Sequence, residues 1–92
     1  MSTISIKQSH NKTLGEVREL ADSLAKKLED RYQLTPNWVS DNAVELTRQG
    51  VTGLLEFDEH AVNVNIKLGL MMSAFKSVIS TEVERALREK LA

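Results

Sequence analysis

Ninety-two residues, 41% of them apolar and 27% charged, describe a single α+β domain over 1–92 with one modest core, because a chain this short buries only about 60–65% of the surface it exposes when unfolded. A formal net charge of −1 leaves no surplus of Lys and Arg with which a nucleic-acid binder would displace counterions from phosphates. With no cysteine, disulfides, zinc–thiolate sites, thiol nucleophiles and iron–sulfur clusters are excluded.

The segment from Met1 to Lys7 has no basic stretch followed by a long apolar run, so no signal peptide is expected. No stretch approaches the roughly eighteen apolar residues of a bilayer span. A cytoplasmic location is the expectation, and the lack of cysteine fits a reducing compartment. Ile4 and Ile6 alternate with Thr3, Ser5 and Lys7, the period of two of a short, half-buried strand. Ser9-His10-Asn11-Lys12 is polar and reads as a loop. Thr13 and Glu16 then form a capping box, each side chain accepting the other residue's backbone N–H. Leu14, Val17, Leu20, Ala21, Leu24, Ala25 and Leu28 follow at spacings of three and four, on one helical face. That helix is expected to end near Tyr32, since Pro36 disfavours helical geometry at Thr35.

The next third is strand and turn. Trp38 and Val39 precede the turn cluster Ser40-Asp41-Asn42, and Val44 and Leu46 alternate with Glu45 and Thr47. After Gln49-Gly50, Val51, Gly53, Leu55 and Phe57 share one face of a strand. Asp58-Glu59-His60 turns the chain again. Val62, Val64, Ile66 and Leu68 alternate with Asn63, Asn65 and Lys67, the pattern of an antiparallel sheet covered on one face and wet on the other. Gly69 breaks that strand and permits a sharp turn. From about Leu70 to the end, Met71, Ala74, Phe75, Val78, Ile79, Val83, Ala86, Leu87 and Leu91 recur at helical spacing, giving one long amphipathic helix.

The predicted order is β-α-β-β-β-β-α. Short turns make the four middle strands an antiparallel meander, and two helices with one apolar stripe each must cover one face of the sheet. The connectivity is like that of a reduced helix-grip fold.

Few residues invite a chemical role. His10 and His60 are fifty residues apart and offer none of the close ligand spacing of a zinc site. Asp58-Glu59-His60 reads as a solvated hairpin turn, with a cation site or general base as the sharper alternative. No serine sits in a Gly-x-Ser-x-Gly elbow. Gly15, Gly50, Gly53 and Gly69 are too scattered for a phosphate loop, and Gly53 marks a bulge or a close backbone contact. No catalytic residue, metal ligand or cofactor-binding residue is therefore assigned, and no enzyme is expected, since hydrolysis or thioester chemistry needs a nucleophile paired with a base.

Binding is the more open question. Leu68 to Phe75 is the most apolar run. Its plain reading is the start of a core helix; its sharper one leaves Leu70 and Met72 partly exposed to touch a partner or an apolar surface. Trp38 is either a core anchor or a pocket or interface residue. Glu45, Thr47, Thr52, Glu56, Asn63, Asn65 and Lys67 form an outer sheet face that is solvated or, alternatively, a polar homodimer contact. A curved sheet gripped by a long helix can also leave an apolar slot. Trp38, Phe57, Phe75 and the pair Met71 and Met72 would stand near its mouth, suited to an acyl or hydroxyacyl ligand. Together with Leu70 these are the candidate contact residues.

The run Val64 to Lys76, with Ile79 and Glu82-Val83-Glu84-Arg85-Ala86-Leu87, resembles the C-terminal half of the small polyhydroxyalkanoic acid system proteins of bacteria. The shared features are an alternating strand, a Leu-Gly hinge, an apolar pair, Ser-Ala, and a helix ending in the Glu-Arg-Ala-Leu style. Trp38 before a short acidic turn, and Arg48-Gln49-Gly50-Val51-Thr52-Gly53, resemble the family's middle. The resemblance implies an accessory role in polyhydroxyalkanoate storage, with the granule or its proteins as partner. It brings no catalytic residues, because none are established for the family.

Overall fold

The computed structural model describes residues 2–91; Met1 and Ala92, the latter the end of the predicted last helix, lie outside the described residues. The predicted order is present. It runs β1 (Ser2–Ser9), α1 (Leu14–Tyr32), β2 (Thr35–Ser40), β3 (Ala43–Arg48), β4 (Val51–Phe57) and β5 (Ala61–Leu68), then a 3₁₀ turn (Leu70–Phe75) and α2 (Lys76–Leu91). The spatial order is β1-β5-β4-β3-β2 and every neighbouring pair is antiparallel. β2 to β5 form the expected meander. β1 pairs with β5, so α1 carries the chain from one edge of the sheet to the other.

Register follows from the alternation. Ile4 pairs with Ile66 and Ile6 with Val64; Leu55 pairs with Val64 and Phe57 with Val62; Val44 pairs with Leu55. These rows share one face, and a slip of one residue would turn each of them to water. Val17, Ala21, Leu24 and Leu28 of α1 and Ile79, Val83, Leu87 and Leu91 of α2 complete a single buried cluster with that face. Both helices therefore lie on the same side. The reverse face carries Thr3, Ser5 and Lys7 beside Lys67, Asn65 and Asn63.

The helix ends are specified locally. Thr13 and Glu16 make the capping box, with the Glu16 N–H donating to Thr13 Oγ1 at 3.2 Å and the Thr13 N–H to Glu16 Oε1 at 3.1 Å. Hydrogen-bonding Thr13 holds the Glu16 carboxyl below its ordinary value of 4.5. At the far end Gln33 turns left-handed (φ 58°) and its N–H closes on Glu29 O at 2.9 Å, the terminating geometry usually assigned to glycine. Pro36 falls on edge strand β2, where a missing N–H is tolerated.

Two glycines are required for different reasons. Gly50 has φ +84° in the β3–β4 turn, a conformation side chains resist. Gly53 permits close approach: a Cβ there would stand 3.1 Å from Ile66 Cγ1 and 3.3 Å from Leu46 O. The β3–β4 and β4–β5 registers run through it unbroken, so of bulge and close contact it is the contact that holds. Gly69 differs from expectation. Its backbone is extended (φ −70°, ψ 175°), and it serves by lying against Gly50, whose carbonyl accepts its N–H at 2.8 Å.

The predicted continuous helix from Leu70 is a correction. Its first six residues wind as a 3₁₀ turn, and the α-helix begins at Lys76. The single predicted stripe also divides. Met72, Ile79, Val83, Leu87 and Leu91 are buried, whereas Met71, Phe75 and Val78 are exposed. By burial, Met72 and Ile79 belong to one seam and Met71 and Val78 to another. One seam faces the sheet and the other faces away.

Candidate functional site

The end of the molecule where α1 finishes and α2 begins carries its most exposed apolar side chains. Leu70 is 82% and Met71 90% exposed, and Phe75 and Val78 continue the strip along the outer side of α2. Its backbone is held from beneath. The Gly69 N–H binds Gly50 O, the Met72 N–H donates to Gly69 O at 3.0 Å, and Ser73 Oγ donates to Leu70 O at 2.9 Å. Met72 is buried, with its Cγ next to Gly50. The expectation that Leu70 and Met72 form the exposed pair is thus half corrected: Met72 anchors the turn, and Met71 is displayed in its place. The tight 3₁₀ winding sends these neighbours to opposite sides.

Phe75 meets Tyr32 edge-on at 6.5 Å between centroids. Tyr32 Oη donates to Glu82 Oε2 at 2.7 Å, and Arg31 Nη1 lies 2.9 Å from Glu82 Oε1. Glu82 is the tie between the two helices. Burial, and then the hydrogen bond to Glu82, push the Tyr32 phenol above its ordinary value of 10.0. A groove of about 460 Å³ runs beside this tie, lined by Lys27, Arg31, Tyr32, Val78, Glu82 and Arg85.

Trp38 and Phe57 lie elsewhere. Their rings meet edge-on at 6.3 Å, and the Arg18 guanidinium sits 4.3 Å over the indole while also donating to Asp41 O. Arg18 and Tyr32 are fourteen residues apart on α1, about 21 Å at 1.5 Å per residue. Trp38 and Phe57 therefore do not join Phe75, Met71 and Met72 around one mouth. Between the sheet and α2 the predicted slot is also occupied, since Ile79, Val83 and Leu87 are at most 1% exposed and cluster with Ile4, Val64 and Ile66. At that place the side chains of sheet and helix belong to one buried cluster.

His10 is the buried polar residue that the sequence did not flag. Its Nε2–H donates to Asp58 O at 2.8 Å and its Nδ1 accepts the Lys12 N–H at 3.0 Å, so both ring nitrogens are partnered by backbone. The His10 N–H also donates to His60 O at 2.8 Å, so the two distant histidines are brought together through backbone. Asp58 accepts the N–H groups of His60 and Ala61, both at 2.8 Å, and these bonds hold its carboxyl below the ordinary 3.8. Asp58 is a turn-builder, and among the described residues no group of three or more His, Asp or Glu is placed to hold a metal ion. Nothing local distinguishes His10 from its polar neighbours in sequence; its role is set by a turn 48 residues away.

A family described as "Putative polyhydroxyalkanoic acid system protein" matches residues 4–91. The chain belongs to this family. The search of curated proteins found no match, and neither did the search of solved structures. Membership links the chain to the polyhydroxyalkanoate system, and the family's description names no reaction. The positions that carried the resemblance serve the fold: Gly50, Gly53 and Gly69 allow backbone and side chains to close up, and Ser73 ties the 3₁₀ turn. No helix among the described residues is long and apolar enough to cross a membrane.

Proposed function

We propose that this protein is a cytoplasmic, non-enzymatic accessory of polyhydroxyalkanoate storage, working by contact with the granule surface or with proteins bound to it. The observation that carries the reading is the strip Leu70, Met71, Phe75 and Val78, left uncovered on a chain of the polyhydroxyalkanoic acid system family. Exposed apolar residues scattered singly are ordinary, but a contiguous strip on a small domain marks a contact surface. The elements beneath it are arranged for display: Met72 and the Gly50–Gly69 contact fix a turn whose two most prominent side chains touch little else.

The test is co-sedimentation of the purified protein with isolated granules, together with deletion of its gene in a polymer-accumulating host. Binding to granules, and a change in granule number or polymer yield on deletion, are the expected results. Failure to co-sediment, with granules unchanged in the deletion strain, would remove the reading.

A further inference from the structure

We infer that the Leu70–Met71 tip is an interfacial wedge that inserts into an anionic lipid surface, with Lys67, Lys76 and Arg48 seated against the headgroups. The inference rests on the granule reading for its setting. It adds the element that touches and the chemistry that is touched.

Three observations favour a lipid surface over a protein partner. The first is shape. Leu70 and Met71 stand almost wholly free on a turn at one extremity of the molecule, with Phe75 and Val78 behind them. A stable protein interface uses about 800 Å² and 20–30 residues on each side. A handful of protruding side chains falls well short of that, yet is enough to enter an acyl layer.

The second is charge. From Lys67 through Thr81 the chain contains no acidic residue, and Lys67 and Lys76 are its only charges. Neither the 3₁₀ turn nor the first turn of α2 carries an acid. Arg48 joins them from the end of β3, at the same end of the sheet because Arg48 pairs with Val51 and Val51 with Leu68. Its guanidinium is held there by Tyr32 O at 2.9 Å. At this end of the molecule Glu82 is taken up by Arg31 and Tyr32, and Glu29 and Asp30 stand in the last turns of α1. At the opposite end the loops carry Asp41, Asp58 and Glu59 against the single cation Lys12. The molecule is therefore polarised, with its apolar end the more basic. Basic residues beside an inserting apolar group are what an anionic leaflet attracts.

The third is the backbone. A turn entering a lipid layer must satisfy its own polar groups, because no water is there to do so. Gly69 O, Leu70 O and Ser73 O accept from the Met72 N–H, Ser73 Oγ and the Lys76 N–H respectively. Three carbonyls of the turn are thus met within the turn itself, which lowers the cost of bringing it to a lipid surface.

The experiment uses the full chain and sedimenting vesicles of two kinds: phosphatidylglycerol with phosphatidylcholine in equal parts, and phosphatidylcholine alone. The protein is expected to bind the mixed vesicles and to lose binding at high salt and on phosphatidylcholine. The double variant Leu70→Ser/Met71→Ser should bind at least about tenfold more weakly, since each deleted large apolar contact is worth roughly a factor of ten or more. Lys67→Glu/Lys76→Glu should weaken binding to the mixed vesicles and make what remains less sensitive to salt. Leu14→Ser, which alters an exposed apolar residue at the opposite end, should leave binding unchanged. Matching melting curves show that the tip variants fold; should the double variant melt early, Met71→Glu alone, at a 90% exposed position, takes its place. Vesicle binding unaffected by the tip variants overturns the wedge. Binding to granules without binding to mixed vesicles overturns the lipid assignment while leaving the granule reading standing, and then a granule protein or the polyester itself is the partner. Absence of binding to both removes both.

Discussion

Replacing Glu82 by Ala tests whether the two helices are held together by one carboxylate. Glu82 accepts the Tyr32 hydroxyl at 2.7 Å and lies 2.9 Å from Arg31 Nη1. A hydrogen bond to a charged group contributes about 1.5–3 kcal/mol. The Glu82 side chain is only 14% exposed, but Arg31 is 62% exposed, and an exposed ion pair is worth about 0.2–1 kcal/mol. Most of the loss should therefore come through Tyr32. Glu82→Ala should cost about 2 kcal/mol, lowering Tm by roughly 10 °C in a domain of this size. Urea denaturation of Tyr32→Phe, Arg31→Ala, Glu82→Ala and the two double variants gives the coupling energies. The Tyr32–Glu82 coupling should be about 1–2 kcal/mol and little changed by salt. The Arg31–Glu82 coupling should be smaller and should fade as salt rises. pH supplies a second axis. The Tyr32 phenol is held above 10.0 in the folded protein, first by burial and then by Glu82. A raised folded value means that the contribution is intact below the unfolded value and is lost as pH rises through the folded one. Tyr32→Phe should flatten that alkaline limb. Additive single-variant effects, or an Arg31 coupling larger than that of Tyr32, would refute this account of the helix pair.

Other perturbations separate fold from surface. Gly53→Val should cost about 1–3 kcal/mol by overpacking, because the new Cβ meets Leu46 O, a backbone atom fixed in the sheet; the urea midpoint reads it. Met72→Ala should destabilise by about 2–5 kcal/mol in the same assay, while Met71→Ala stays within about 0.5 kcal/mol, since only Met72 is buried. His10→Ala removes two ring hydrogen bonds, one joining the first loop to the β4–β5 turn and one within that loop, and should cost about 2 kcal/mol. In acid, Asp58 and Glu16 have depressed folded values, so their contributions are present above the ordinary 3.8 and 4.5 and are lost as pH falls through the folded values. Asp58→Ala with Glu16→Gln should make the acid limb of the stability–pH curve shallower.

What could be read from the chain was whatever repeats with a fixed period. Val62 to Leu68 announced β5 because alternate residues meet alternate environments, and Thr13 with Glu16 announced the start of α1 because that cap is built from neighbours. The 3₁₀ turn escaped notice because Met71 and Met72 have the same chemistry. Which of them turns inward depends on Gly50, a residue from a different turn. Trp38 and Phe75 looked like partners because both are large and aromatic. The length of α1, which keeps them apart, was itself legible, but the ends of α1 to which they attach were not. His10 and Glu82 act through residues 48 and 50 positions away, a distance no local pattern encodes. The uncovered strip was visible only as an excess of apolar positions at the start of the last helix.

The pairing of β1 with β5 places an unusual demand on synthesis. Fifty-two residues separate Ser9 from Ala61, its nearest partner along the chain, and sixty-six separate Ser2 from Leu68. β1 must wait until β5 has been made before it finds its place, and closing so long a loop is the slow, entropically disfavoured step. Between the making of β5 and the docking of β1, the flank of β5 offers unsatisfied amides to any neighbouring chain. Yield on refolding should therefore fall as protein concentration rises, and a protease that clips the chain before His10 should convert dispersed molecules into aggregates.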